Sequence, residues 1–285
     1  MKIIAFISIF ISLLLSPSFV SAKEYETAFD RIIETNTLRC GYYVFPPVTY
    51  RDPNTKELSG FTVDLMNEIG RRSGLKIEWA EEIGFTGWTQ SLKAKRFDVA
   101  CTPNWPDIAQ SRVAAFSIPM FYAGLYPMVR TDDSRFKDND NIGRLNSKDI
   151  IFSLPEAAAL MGLVDAHFPK AKKQVTPPGN EKSSYVMDVL TGKADVFLTD
   201  RNGYVEFNRY NDGKLKLLGI DNPIKLQPFN LAVERNEMVL KDFLDNAILD
   251  LLYDGTIDVL LKKWEPEPGI TYIRDDRPYK STEKQ

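Results

Sequence analysis

Histidine occurs once in this sequence, at His167, followed by Phe168-Pro169 at an expected helix end. A Ser-His-Asp or Cys-His machine would have to use that ring, and no serine stands in a G-x-S-x-G elbow. The two cysteines, Cys40 and Cys101, are too few for a zinc cluster. No Gly-rich loop follows a strand as a phosphate cradle would, and no acidic loop has calcium spacing. These residues therefore point to no cofactor, no metal and no hydrolytic centre.

Chemistry of another kind is written at the strand ends. Tyr42, Tyr43 and Phe45 follow one strand-like run, Phe85 and Trp88 a second, and Asn104 and Trp105 a third. Glu156 follows "IIFS", and Asp200 and Asn202 follow "ADVFL". In parallel α/β sheets ligands bind outside the carboxyl ends of the strands, where loop amides and helix N-termini converge. Aromatic walls with a few polar anchors describe one small-molecule pocket between two lobes. Taken one at a time, an aromatic residue at a strand end is more often a core ring and a polar one more often a helix cap.

The elements that would position them alternate. "LRCGYYV" reads as a strand, "GFTVDLMNEIGRRSG" as a helix ended by Gly74, "LKIEWAEE" as a strand, Trp88 to Lys95 as a helix and "FDVACT" as a strand. A polar stretch from Asp132 to Asp149 separates this series from a second, "IIFS", "EAAALMGLVDAHF", "KQV", "EKSSYVMDVLTG" and "ADVFLTD". Short apolar runs alternating with helices of this length predict an α/β class with parallel sheets, here in two similar lobes. Val239, Phe243, Leu244, Ala247, Ile248, Leu251 and Leu252 recur at helical spacing up to a break at Asp254-Gly255, and a second helix closes at Trp264.

With 285 residues, 44% hydrophobic and 26% charged, the chain is long enough for two cores. A formal charge of −3 offers no field of one sign, which argues against nucleic acid or an acidic membrane as partner. Residues 1–22 are set apart: Met1-Lys2, an apolar run from Ile3 to Leu15, and "VSA" ending at Ala22. That pattern predicts a secretory signal peptide cut after Ala22, the run being shorter than the about 20 residues a membrane span needs. In an exported chain Cys40 and Cys101 are either a disulfide or two buried thiols, and a bridge would make their strands neighbours.

The ordered blocks "LRCGYYVFPPVTYRDPNTKELSGFTVDLMNEIGRRSGLKIEW", "GFTGWTQSLKAKRFDVA", "AAFSIPMFYAG", "VLTGKADVFLTDRNGY" and "FNLAVERNE…LLYDGTIDVLLKKW", residues 38–265, resemble bacterial extracellular solute-binding proteins of the polar-amino-acid type. The resemblance implies a type II periplasmic-binding fold. Its lobes would be residues 23–119 plus 225–265 and residues 125–218, with hinges at 120–124 and 219–224 and a tail at 266–285. It also implies a periplasmic monomer that delivers its solute to an inner-membrane ABC permease. Phe45 and Phe85 take the places of the aromatics that flank the ligand, and Asp200 that of the carboxylate gripping an ammonium.

The anion-binding half departs from the family pattern. Gln110 stands where the carboxylate-binding arginine is expected, with Arg112 two residues on. Trp105 replaces a small hydroxyl residue, Pro155-Glu156 a Gly-Thr turn, and Tyr43 an acidic residue. Loss of a bidentate guanidinium fork removes a strong anchor for carboxylates. The expected ligand keeps an amine or other cationic group but is not an ordinary α-amino acid, with Trp105, Phe45 and Phe85 as a partial cage; a shifted clamp by Arg112 is the alternative. Two other readings remain beside transport: an enzyme like the cyclohexadienyl dehydratases, with Glu156 as acid, and a sensor for a membrane kinase.

Overall fold

The computed structural model describes residues 25–84, 87–137, 141–156, 158–176, 182–209, 211 and 213–265. The expected signal peptide and the tail after Glu265 lie outside them, as does Phe85. Among the described residues no helix is long and apolar enough to cross a membrane.

Helix α1 (Ala28–Thr35) begins where the Thr27 hydroxyl accepts the Asp30 N–H and ends at Asn36 in the left-handed conformation. Strand β1 (Thr37–Tyr42) leads through the short hairpin β2 (Tyr50–Arg51) and β3 (Leu58–Ser59) to helix α2 (Phe61–Ser73). That helix buries Phe61, Leu65, Met66 and Ile69 at helical spacing, and Gly74, at φ 74°, supplies the left-handed residue that ends it. Strand β4 (Lys76–Glu82), helix α3 (Trp88–Lys93) and strand β5 (Val99–Asn104) follow. β4 and β5 lie on either side of β1, both parallel to it. Cys40 of β1 and Cys101 of β5 are joined by a disulfide, with Cα atoms 5.3 Å apart.

Strands β6 (Ala114–Phe116) and β7 (Phe121–Arg130) lead into the second unit. It contains β8 (Ile151–Pro155), α4 (Ala158–His167), β9 (Lys172–Thr176), α5 (Lys182–Leu190), β10 (Val196–Thr199), α6 (Arg201–Asn208) and β11 (Leu215–Leu217). The chain then returns along β12 (Lys225–Glu234) to α7 (Met238–Tyr253) and α8 (Thr256–Trp264). Gly255, at φ 85°, makes the break between these two helices. Trp264 and Lys263 tie α8 to α2 through Asp64, each at 2.7 Å.

The strand order β4-β1-β5-β12-β7-β10-β8-β9 shows how the lobes are linked. β12 and β7 are antiparallel neighbours from Phe121↔Phe229 to Leu125↔Lys225. Beyond those rungs β12 continues beside β5 and β6, and β7 beside β10 and β11. Each lobe has apolar clusters on both faces of its sheet. Lobe 1 buries Ile32, Phe61, Met66, Phe121, Phe229 and Leu244 on one side and Tyr43, Trp88, Phe97 and Ala232 on the other. Lobe 2 buries Phe152, Val164, Phe168 and Leu198 on one side and Tyr126, Tyr185, Val189 and Phe197 on the other. Each large side chain buried in this way stabilises its lobe by about 2–3 kcal/mol, so both lobes hold a core of their own.

Candidate ligand-binding site

Just past the carboxyl end of β1 the chain delivers Tyr43, 8% exposed, whose phenol donates to the Pro103 carbonyl at 2.5 Å. Two residues on, the Phe45 N–H donates to Thr49 O at 2.7 Å, and its half-buried ring meets Tyr43 edge-on at 6.2 Å. At the end of β5, Asn104 is buried and its amide nitrogen donates to Thr102 O at 2.7 Å and Ala100 O at 3.2 Å. The half-buried ring of Trp105 lies 5.6 Å from Phe229, which stacks on Phe121 at 4.8 Å. The aromatic wall thus continues onto the paired strands that link the lobes.

The segment after Trp105 forms one turn of 3-10 helix, Gln110–Arg112. Asp107 Oδ1 accepts the Gln110 N–H at 2.7 Å and so fixes the start of the turn. Gln110 is half-buried, whereas Arg112 is exposed and its carbonyl accepts from Arg235 at 3.1 Å. The structure therefore brings Gln110 closer to the interior than Arg112.

On lobe 2, Asp200 is 6% exposed and caps α6, Oδ1 accepting the Gly203 N–H at 2.7 Å. Asn202, in the first turn of the same helix, is 1% exposed, and neither amide atom has a partner among the described residues. Glu156, just past β8, is exposed, and its N–H donates to Thr176 O at 3.1 Å. His167 closes α4, its ring 6.1 Å from Phe168.

Electrostatics connects the two halves. Burial pushes the Tyr43 phenol well above its ordinary value; the Thr102 hydroxyl offsets part of that, and the Asp200 carboxylate adds to the push. The Asp200 carboxylate is thus felt at the Tyr43 phenol, which stays neutral. The structure places Tyr43 and Phe45 just past β1 and Asn104 and Trp105 at the end of β5, the strand beside it, and leaves Arg112 and Glu156 exposed.

A residue that sequence reasoning passed over joins this group. Asn230 of β12, 3% exposed, stands directly opposite Asn104. The available signal was an asparagine inside the apolar strand run "FNLAV". Among the described residues there is no group of three or more His, Cys, Asp or Glu side chains that could hold a metal ion.

Residues 38–267 match the model of the bacterial extracellular solute-binding proteins, family 3. The chain belongs to that family. A similar relative is the amino-acid-binding protein AabA of Dichelobacter nodosus, 26% identical over 228 residues, covering 77% of this chain and 84% of that protein. Among solved structures, a putative binding component of an ABC transporter from Wolinella succinogenes, complexed with lysine, is 20% identical with a TM-score of 0.70, covering 81% of this chain and 97% of that one. The ancestral amino-acid-binding protein AncCDT-1, described as a precursor of cyclohexadienyl dehydratase, has a TM-score of 0.69 at 22% identity, covering 84% and 99%. At these identities the structural likeness establishes the fold, the type II periplasmic-binding arrangement of two α/β lobes.

Proposed function

We propose that this protein captures a small amine-bearing solute between its lobes and hands it to an inner-membrane ABC permease. The observation that carries the reading is the buried Asp200 carboxylate, fixed by its helix cap at the end of β10, with its charge felt at the neutral Tyr43 phenol of the other lobe. A buried carboxylate is stabilised by a cationic partner. The aromatic rings of Phe45 and Trp105, with Phe85 as the expected third, favour the same charge. The relatives' names, an amino-acid-binding protein and a lysine complex, support the same ligand class.

In this reading residues 23–119 plus 225–265 form one lobe and 125–218 the other, with hinges at 120–124 and 219–224. The pairing of residues 121–125 with 225–229 holds the first hinge against the start of β12, directly after the second hinge, while the lobes close. Closure follows from contacts to both lobes that exist only in the liganded state. The chain is exported after cleavage at Ala22 and acts as a monomer.

Binding rather than turnover is part of the proposal. A dehydratase-like reaction asks for a general acid beside a carboxylate-binding guanidinium; here Glu156 is exposed and Gln110 takes the arginine's place. The likeness to AncCDT-1 makes the enzyme reading worth testing directly. Incubation with cyclohexadienyl acids that released aromatic product would overturn the assignment.

The main test is a thermal-shift screen of the purified protein against amino acids, polyamines, betaines and small organic acids. A ligand at a hundred times its Kd stabilises by about 2.7 kcal/mol, a readily measured rise in Tm. At least one amine-bearing ligand is expected to produce it, and Asp200→Asn, which preserves the helix cap, is expected to remove it. A rise produced by anions alone would reject the reading.

A further inference from the structure

On β5 and β12 of lobe 1 the side-chain amide nitrogens of Asn104 and Asn230 are already engaged as donors. Side chains alternate across a strand, so Asn230 and Ala232 of β12 share one face. Asn104 and Ala100 of β5 are registered opposite them, with an irregularity in the ladder between the two pairs. Ala100 and Ala232 pack with Tyr43, Trp88 and Phe97, whereas Cys101, Phe229 and Leu231 belong to the opposite core. Asn104 and Asn230 are therefore a cross-strand amide pair on the Tyr43 face, at the carboxyl end of β5, where a ligand enters a sheet of this kind.

Chemistry fixes which way both amides point. An amide atom within hydrogen-bond reach of a carbonyl oxygen must be the NH2 group. Asn230 donates to Ser117 O at 2.5 Å, and Asn104 to Thr102 O at 2.7 Å and Ala100 O at 3.2 Å. Tyr43 likewise uses its O–H on Pro103 O. The amide groups left over are acceptors: Asn104 Oδ1 and Asn230 Oδ1. Asn230 Oδ1 is fully buried with no partner among the described residues, an unfavourable state that an arriving donor would relieve.

Asp200, on the other lobe, is an acceptor too. We infer that the solute presents N–H donors at both ends and lacks a carboxylate: one cationic end on Asp200, and a second amine, amidine or guanidine end on the carbonyl oxygens of Asn104 and Asn230. This rests on the reading of the gap as an amine-binding site and narrows it to diamines and guanidinoamines. A carboxylate placed against the Asn104–Asn230 wall would meet oxygen lone pairs. Arg112, the guanidinium nearest in sequence to the expected carboxylate anchor, is exposed. A quaternary ammonium satisfies the aromatic rings but brings no N–H.

Titration calorimetry on the purified protein with matched pairs tests this without a variant: agmatine against arginine, 1,5-diaminopentane against lysine, and choline. The decarboxylated member of each pair is expected to bind at least tenfold tighter than its amino acid, and choline more weakly than agmatine or 1,5-diaminopentane. Asn230→Ala is expected to weaken 1,5-diaminopentane tenfold or more while leaving butylamine, which has one donor end, unchanged. Arginine or lysine binding more tightly than its decarboxylated partner overturns the inference while the amine site stands. If no amine binds, or binding is indifferent to Asp200→Asn, the amine site itself is wrong and the inference falls with it.

Discussion

Asp98 and Asp195 hold the same place in the two lobes. Each immediately precedes a strand, β5 or β10, and each accepts the backbone N–H of a neighbouring strand residue, Arg39 at 2.8 Å and Ile151 at 2.9 Å. Each is also gripped by two guanidiniums, Arg31 and Arg39 for Asp98, Arg130 and Arg135 for Asp195. The two strands whose far ends carry the proposed ligand contacts are thus pinned at their near ends by the same device, used twice.

Removing one partner of a buried pair leaves the other charge unmet, which costs about 3–5 kcal/mol. The arginines around Asp98 are 20% and 29% exposed, so the low end applies and Asp98→Ala is expected to cost about 3 kcal/mol. Trp79, Trp88, Trp105 and Trp264 all lie in lobe 1. Asp98→Ala should therefore lower the denaturant midpoint read by tryptophan emission. Asp195→Ala should lower the midpoint read by far-UV circular dichroism first. Identical shifts in both signals for both variants would show that the lobes do not unfold separately.

Arg72 joins α2 to α7 and α8, reaching Glu68 at 2.7 Å, Asp250 at 2.8 Å, Asp254 at 2.6 Å and Thr256 at 3.0 Å. Hydrogen bonds from Arg71 and Arg72 hold Glu68 at about 2, and Thr256 with Arg72 holds Asp254 at about 2. Both carboxyls are depressed in the folded state, so their contribution is complete above the ordinary carboxylate range and is lost as pH falls toward 2. Melting temperatures between pH 5 and 2.5 should fall less steeply in Arg72→Met than in the parent, and the difference should shrink in 1 M salt. Parallel slopes would show that the network contributes nothing.

Local signals carried much of the fold. The stop at Gly74, the break at Gly255 and the apolar period of α7 are visible in residue types because each is decided within a few residues. The place of β12 between β5 and β7 was not visible, since strand order depends on pairings more than a hundred residues apart. In the site, the departures at Gln110 and Arg112 could be read as residue types, but the difference in their burial comes from a 3-10 turn fixed by Asp107. Asn230 was hidden because its meaning depends on Asn104 across the ladder, a partner that no local pattern names. Phe85 falls outside the described residues.

The Cys40–Cys101 bridge closes a loop of 61 residues through two fully buried side chains. Chain entropy assigns a crosslink of that span about 4 kcal/mol. The double variant Cys40→Ala/Cys101→Ala is expected to lose roughly that much in denaturant unfolding. The parent treated with reductant should approach the variant only after unfolding exposes the sulfurs. A variant as stable as the parent would show that packing, and not the bond, holds β1 to β5.

Gln110 offers a gain-of-function test of the site's charge logic. Its side chain is half-buried in a turn held by Asp107, at the place where relatives of the polar-amino-acid type are expected to carry a guanidinium. A charge-assisted fork to a carboxylate is worth about 1.5–3 kcal/mol, or roughly ten- to a hundredfold in affinity. Gln110→Arg is therefore expected to strengthen arginine and lysine by at least tenfold relative to their decarboxylated counterparts. Asp107→Asn beside it should enlarge the gain by freeing the new guanidinium from a local ion pair. If Gln110→Arg changes both members of each pair equally, position 110 does not face the ligand, and the proposed loss of the carboxylate anchor has no bearing on specificity.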